Sequence, residues 1–135
     1  MCLGLVGFYE EEQRLFKATY NKVLNGQSPV VHQDKEMDFI YSKDVGLLIS
    51  YIIKNHNKVK IPKDINACYH QKYKISDIIQ EFKCLTNTSF NVVIEEENGL
   101  DYSGCSAKID SLNIKTIGLQ KGLKECLTKW NKYYS

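Results

Sequence analysis

Histidine, cysteine and clustered glutamate are the residue types in this sequence that could perform chemistry. Cys68 and His70 have the spacing of two zinc ligands, but no second pair of ligands accompanies them. His32, His56 and His70 have no serine or cysteine partner in a recognisable nucleophile motif, so each is predicted to be a surface or structural residue. The acidic run 95–97 is interpreted as a solvated strand end. Neither a metal site nor a catalytic constellation is therefore predicted.

Two early glycines, Gly4 and Gly7, have part of the spacing of a dinucleotide-binding turn. Such a turn needs a third glycine and a helix that starts directly after it, because the pyrophosphate rests on the helix N-terminus. Both are missing from the segment GLVGFYEE, so no cofactor is predicted to bind there.

The composition is that of an ordinary folded domain, predicted to span residues 1–135 as one unit. Hydrophobic residues make up 43% and charged residues 25% of the 135 residues. The net charge of +2 is too weak to predict binding to nucleic acid or an anionic membrane, and no apolar stretch approaches the roughly 18 residues of a membrane span. Five scattered cysteines, an odd number, predict free thiols in a cytoplasmic protein.

Helical and strand periodicities alternate along the chain, which predicts a mixed α/β fold with three to four helices and short strands. Helices are predicted over 10–25, from Asp44 onward, from Ser76 or Asp77 onward, and over 121–134. Strands are predicted within the apolar start, at 28–33, 38–41, 64–68 and 90–97, with a turn-rich loop at 98–106.

The ends of these helices have recognisable capping residues. Acidic residues 10–12 are expected in the first turn of the first helix, and Gly26 is expected at its C-cap. Asp44 is predicted to be the N-cap of the second helix, because its carboxylate can accept the free amides of a first turn. The last helix should bury a stripe formed by Leu123, Cys126, Leu127, Trp130 and Tyr134.

Five motifs occur in the order found in the C-terminal half of one enzyme family. They are GLVGFYEEEQRLF, LNGQSPVVH, MDFIYSKD, KISDIIQEF preceded by Asn66, and SAKIDSLNIKTIGLQKGLKECLTKW. In this order the chain resembles the substrate-binding lobe of the extended short-chain dehydrogenase/reductases. These are the NAD(P)-dependent nucleotide-sugar epimerases, dehydratases and reductases.

The resemblance implies that the chain is the substrate-binding C-terminal part of such an enzyme and is not catalytic alone. NAD or NADP would belong to the complete enzyme, and a nucleotide sugar would be the substrate. The implied contacts to the base are Pro29, Val30, Val31 and His32, and those to phosphate or sugar are Arg14, Lys35 and Lys108. The family's N-terminal Rossmann part, with its glycine-rich turn and its Tyr-x-x-x-Lys pair, is not in this sequence. Tyr51 and Lys54 come nearest to that pair and are one residue too close.

Two departures from the family pattern favour an alternative function. Met37, or Glu36 if the loop is shifted, stands where a phosphate-binding arginine is expected, and Asp101 stands at the place of a second one. Each lost guanidinium removes charge-assisted hydrogen bonds of about 1.5–3 kcal/mol. The alternative is a non-catalytic binding or protein-interaction module that keeps the fold. It could form a homo-oligomer through the surface that would otherwise meet the Rossmann part. An independent small enzyme is the least favoured reading.

Overall fold

The computed structural model describes residues 4–134, which form five helices and six two-residue strands. In chain order these are β1 (Leu5–Val6), α1 (Leu15–Leu24), β2 (Val30–Val31), β3 (Glu36–Met37), β4 (Ile40–Tyr41), α2 (Ser42–Asn55), β5 (Tyr73–Lys74), α3 (Ile75–Thr86), β6 (Val93–Ile94), α4 (Ala107–Asp110) and α5 (Leu119–Tyr134). The predicted mixed α/β class is confirmed. Of the described helices, none is both long and apolar enough to cross a membrane.

The strands pair as three short ladders that join distant parts of the chain. β1 pairs in parallel with β4, and β2 pairs in parallel with β6. β3 pairs with β5 in the antiparallel direction. Each ladder joins segments far apart in sequence and so holds elements next to one another that are distant along the chain. The ladders therefore set the relative positions of the helices.

The main core lies where α5 packs against α1, α3 and β4. Trp130 is fully buried there, and its indole Nε1 donates a hydrogen bond of 2.8 Å to the carbonyl of Phe8. The predicted stripe of α5 is confirmed at Leu123, Cys126, Leu127 and Trp130. The prediction that Tyr134 is a fifth buried member of this stripe is wrong, because its side chain lies at the end of the helix and is 55% exposed.

A second, smaller core lies between α2 and α4. Its buried members are Ile40, Leu48, Ala67, Ile109 and Leu112. On α2, the half-buried side chains that pack against this cluster are Val45, Tyr51 and Ile52, which recur at helical spacing.

The ends of α1 were only partly predicted. The helix begins at Leu15, so the acidic residues 10–12 precede it instead of forming its first turn. Tight turns cause this shift, since Arg14 N–H donates to the carbonyl of Glu11. The C-terminus agrees with the prediction. Gly26 has φ of +67°, and the N–H of Gln27 donates to the carbonyl of Lys22 at 2.8 Å, which is a Schellman end.

Asp44 is not the N-cap of α2, because the helix starts at Ser42 and Tyr41 is the capping residue. The Asp44 carboxylate is 1% exposed and faces away from its own first turn. It accepts the backbone N–H groups of Ile117 at 2.7 Å and Gly118 at 2.9 Å, and also the hydroxyl of Tyr69. Asp44 therefore ties α2 to the segment that leads into α5.

Two further predictions need correction. Residues 64–68 are not a strand, because the N–H of Cys68 turns back to the carbonyl of Asn66 at 3.1 Å. The helix α3 begins at Ile75 and its N-cap is Lys74, so it does not begin at Ser76 or Asp77 as predicted. Asp77 lies in the first turn and accepts the N–H of Lys74. Ser76 instead donates both its N–H and its hydroxyl to Asp34.

Candidate functional site

Three adjoining pockets lie beside β1, the start of α1 and β2. The first has a volume of about 420 Å³ and shares Leu5, Glu10 and Arg14 with the second, of about 230 Å³. The third, of about 300 Å³, shares Leu15 and Ile75 with the second. We call the three together the β1 cleft. The turn after β1 and the N-terminus of α1 form one end of the cleft, and β2 with Lys35 forms the other.

The structure brings five of the seven predicted substrate contacts to this cleft. Arg14 lines the first two pockets, and Val30, Val31, His32 and Lys35 line the third. The other two lie elsewhere. Pro29 is buried behind β2, where its carbonyl accepts the N–H of Val93. Lys108 is exposed on α4 and lines none of the three pockets.

The third pocket combines an apolar slot with charged edges. Leu15, Val31 and Ile75 supply its apolar surface, and Lys35 supplies a cation. At the rim, the Nδ1 atom of His32 lies 2.6 Å from a carboxylate oxygen of Glu95, which holds the imidazole beside β6. An apolar slot next to an ammonium group suits a ligand with a flat apolar part and an anionic part.

Glu10 is the cleft residue that sequence reasoning missed. One of its carboxylate oxygens, Oε2, is buried without a hydrogen-bond partner among the described residues. Burial raises the pKa of Glu10 to about 7, although the N–H of Lys17 and the charges of Arg14 and Lys17 pull the pKa down. The sequence signal was misleading, because three consecutive glutamates indicate a solvated helix start.

Lys17 lies beneath the cleft and is only 2% exposed. Its ammonium nitrogen is 3.7 Å from the ring centre of Tyr134, 4.7 Å from that of Trp130 and 5.2 Å from that of Tyr20. In the described part of the chain this nitrogen has no hydrogen-bond acceptor. Three aromatic faces stabilise the charge in place of a carboxylate.

The early glycines serve packing and do not form a phosphate cradle. A side chain at Gly4 would stand 2.7 Å from the Phe39 ring, and one at Gly7 would stand 2.8 Å from the Ser42 hydroxyl. The two glycines therefore let β1 approach β4 and α2 closely. No helix starts directly after them, because α1 begins only at Leu15. This segment does not fit NAD(P).

Among residues 4–134, no group of three or more histidine, cysteine, aspartate or glutamate side chains could hold a metal ion. Cys68 is buried, and its thiol donates to the carbonyl of Gly104. His70 is exposed and lies 3.4 Å from a carboxylate oxygen of Asp110.

The fold was compared with known proteins. No protein-family model matches the sequence, and no curated protein is similar to it at the level of sequence. Several solved structures have a fold similar to that of this chain. UDP-N-acetylglucosamine 4-epimerase from Methanobrevibacter ruminantium, in complex with UDP-N-acetylmuramic acid, superposes on 99% of the chain with a TM-score of 0.74 and 18% identity. A GDP-L-fucose synthetase from Naegleria fowleri bound to NADP covers 98% of the chain, with a TM-score of 0.75 and 19% identity.

The chain has the fold of part of an extended short-chain dehydrogenase/reductase. A third similar structure, a GDP-mannoheptose C4 reductase from Campylobacter jejuni with NADP bound, covers 97% of the chain with a TM-score of 0.71 and 20% identity. The chain spans 45%, 44% and 48% of these three proteins, which fits the C-terminal half of an extended short-chain dehydrogenase/reductase. The fold expected from the five sequence motifs is therefore confirmed.

Proposed function

We propose that this chain is the substrate-binding C-terminal part of an NAD(P)-dependent nucleotide-sugar epimerase, dehydratase or reductase. The complete enzyme would transfer a hydride between NAD(P) and a sugar carbon, whereas this part would bind the nucleotide sugar. The observation that carries the proposal is the β1 cleft, which unites five of the seven side chains implied by the family resemblance. The fold, shared with enzymes whose structures hold UDP-sugars or NADP, supports the same assignment.

Each part of the cleft has a role in this proposal. The apolar part of the third pocket takes the nucleobase, because Leu15, Val30 and Ile75 line it beside His32. Lys35 then attracts the diphosphate as a point charge at the edge of this pocket, and the guanidinium of Arg14 donates hydrogen bonds to it in the neighbouring pockets. Sugar binding falls to the first pocket, where Glu10 and Ser42 supply polar groups.

A second candidate is a non-catalytic binding or interaction module. Two positions favour it, since neither supplies the guanidinium expected from the family pattern. Met37 lines the second pocket with an apolar thioether, and Asp101 accepts the backbone N–H of Glu36 at 2.8 Å. In this candidate the exposed Leu5 and Tyr9 beside the cleft contact another copy of the chain. Gel filtration at two concentrations tests this, because a strict monomer at both would contradict it.

Calorimetry with UDP-, GDP- and dTDP-sugars tests the first proposal directly. We expect binding of one base class, and we expect Lys35→Ala and Arg14→Ala to weaken it about tenfold each, the effect of losing one charge-assisted contact of about 1.5 kcal/mol. Lys108→Ala is the matched comparison, because Lys108 is an exposed lysine outside the β1 cleft. Its affinity should remain unchanged.

Two results would contradict the proposal. A folded sample that binds none of these sugars at millimolar concentration would favour the second candidate, the non-catalytic binding or interaction module. Equal losses in the Lys35 and Lys108 variants would mean that the ligand occupies another part of the surface.

A further inference from the structure

The outward side of α2 and the loop after it carry exposed aliphatic side chains beside lysines. Ile53 is 66% exposed and Ile49 is 52% exposed, although both are large apolar side chains on one side of the helix. Leu47 and Val59 are also exposed. We define the α2 face by these side chains and the exposed lysines that follow them, namely Leu47, Ile49, Ile53, Val59, Lys54, Lys58, Lys60 and Lys63.

The charge of this face differs from that of the rest of the molecule. Residues 45–63 contain four lysines and no aspartate or glutamate. Since the whole chain has a formal net charge of +2, the other residues together carry −2. Within residues 4–134, none of the four lysines forms an ion pair with a carboxylate. The small net charge of the chain therefore includes a cationic segment, which ends at the exposed Asp64.

We propose that the α2 face docks on an anionic lipid surface. Ile49 and Ile53 enter the headgroup layer, and the lysines lie against the lipid phosphates. The two classes of side chain act together, because apolar burial and attraction to anionic lipids add in the binding of basic amphipathic helices. Docking of this kind goes beyond the proposed function and does not depend on the β1 cleft. It differs from the expectation, drawn from the charge of the whole chain, that an anionic membrane is not a partner.

Other occupants of this face fit the observations less well. A two-fold dimer would place the face against itself, so the lysines of one copy would meet those of the other. Protein interfaces are enriched in tyrosine, tryptophan and arginine at their energetic centres and depleted in lysine. The α2 face has the opposite composition. Aliphatic side chains flanked by lysines are instead typical of helices that lie on membranes.

Vesicle flotation tests the proposal with the full chain. We expect the protein to float with phosphatidylcholine vesicles that contain phosphatidylglycerol and not with pure phosphatidylcholine vesicles. Lys58→Gln with Lys60→Gln should weaken binding by about 30-fold, because each lysine near such a surface contributes roughly fivefold. Ile49→Ser with Ile53→Ser should also weaken it, while circular dichroism verifies that each variant is folded.

A pair of lysines on another helix provides the control. Lys121 and Lys124 are exposed on α5, and changing both to glutamine removes the same charge without touching the α2 face. This variant should bind vesicles nearly as well as the original chain. The proposal is overturned if folded protein ignores anionic vesicles, or if the α5 variant loses as much binding as the Lys58/Lys60 variant. It is also overturned if the isoleucine variant binds normally, or if gel filtration shows a dimer that this variant abolishes.

Discussion

Replacing a helical glycine by alanine should lower the stability at Gly122 and raise it at Gly46. Gly122 lies on the buried side of α5, where an added Cβ would stand 2.8 Å from the Cβ and Cδ1 atoms of Tyr41 and closer still to Cγ. Gly46 lies in α2, where an added Cβ meets no atom within 4 Å. The substitution Gly→Ala is the same in both helices. The difference between the two results therefore measures the packing of α5 against Tyr41.

The magnitude follows from two opposing terms. Alanine favours a helix over glycine by about 1 kcal/mol, which is the whole expected gain for Gly46→Ala. At Gly122 the overlap costs about 1–3 kcal/mol, as overpacking of a core does. The Tyr41 ring cannot move aside cheaply, because it is buried and its hydroxyl donates to Glu125 at 2.7 Å. We expect Gly122→Ala to lower the free energy of unfolding by about 0–2 kcal/mol net, since the gain of about 1 kcal/mol offsets part of the overlap.

Urea unfolding provides the assay. Trp130 is the single tryptophan and is fully buried, so its fluorescence reports the loss of the main core. The slope of the unfolding free energy against urea should stay constant, so that a changed midpoint means changed stability. Repeating Gly122→Ala in a Tyr41→Ala background removes the overlap with the ring atoms Cγ and Cδ1 and leaves only the one with Cβ, so the substitution should cost less there than in the original chain.

One result would refute this reasoning. If Gly122→Ala stabilises the chain as much as Gly46→Ala does, the close approach of α5 to β4 is wrong.

Three further predictions follow from single side chains. Asp44→Asn should lower the free energy of unfolding by about 3–5 kcal/mol, because the amide cannot accept all three hydrogen bonds of the carboxylate. Urea unfolding measures this loss, and the control Asp64→Asn, at an exposed position, should leave the stability unchanged. For Glu10 the folded-state pKa of about 7 exceeds the ordinary 4.5, so the folded state binds the extra proton and stability falls as the pH rises from about 4.5 to about 7. Glu10→Gln should therefore be more stable than the original chain at pH 8, by about 1–2 kcal/mol after solvent screening, and the two should have equal stability at low pH. The control Glu11→Gln, at an exposed position, should show no such difference between the two pH values. Asp34→Ala should lower the free energy of unfolding by about 2–4 kcal/mol, because Ser76 then loses the acceptor of both its N–H and its hydroxyl; Asp34→Asn should restore part of the loss.

The sequence by itself determined the class of fold and the places of the main helices. Apolar side chains at helical spacing must be buried on one side, so α2, α3 and α5 lie close to where the spacing predicted them. Gly26 ends α1 because glycine tolerates the left-handed backbone that this end requires. These features depend on residues within one or two turns of each other. They can be predicted without knowing how the chain packs.

Only the tertiary structure decided which groups meet. Aspartate is a residue type that often caps helices, but the partners of the Asp44 carboxylate at Ile117 and Gly118 lie 73 and 74 residues away along the chain. Glu10 looks like one of three solvated glutamates until the packing of α1 buries it. Lys108 is similar in type to Lys35, yet only Lys35 reaches the β1 cleft. Hydrogen-bond partners, burial and cleft geometry depend on contacts between distant segments, and the spacing of residues along the chain does not encode those contacts locally.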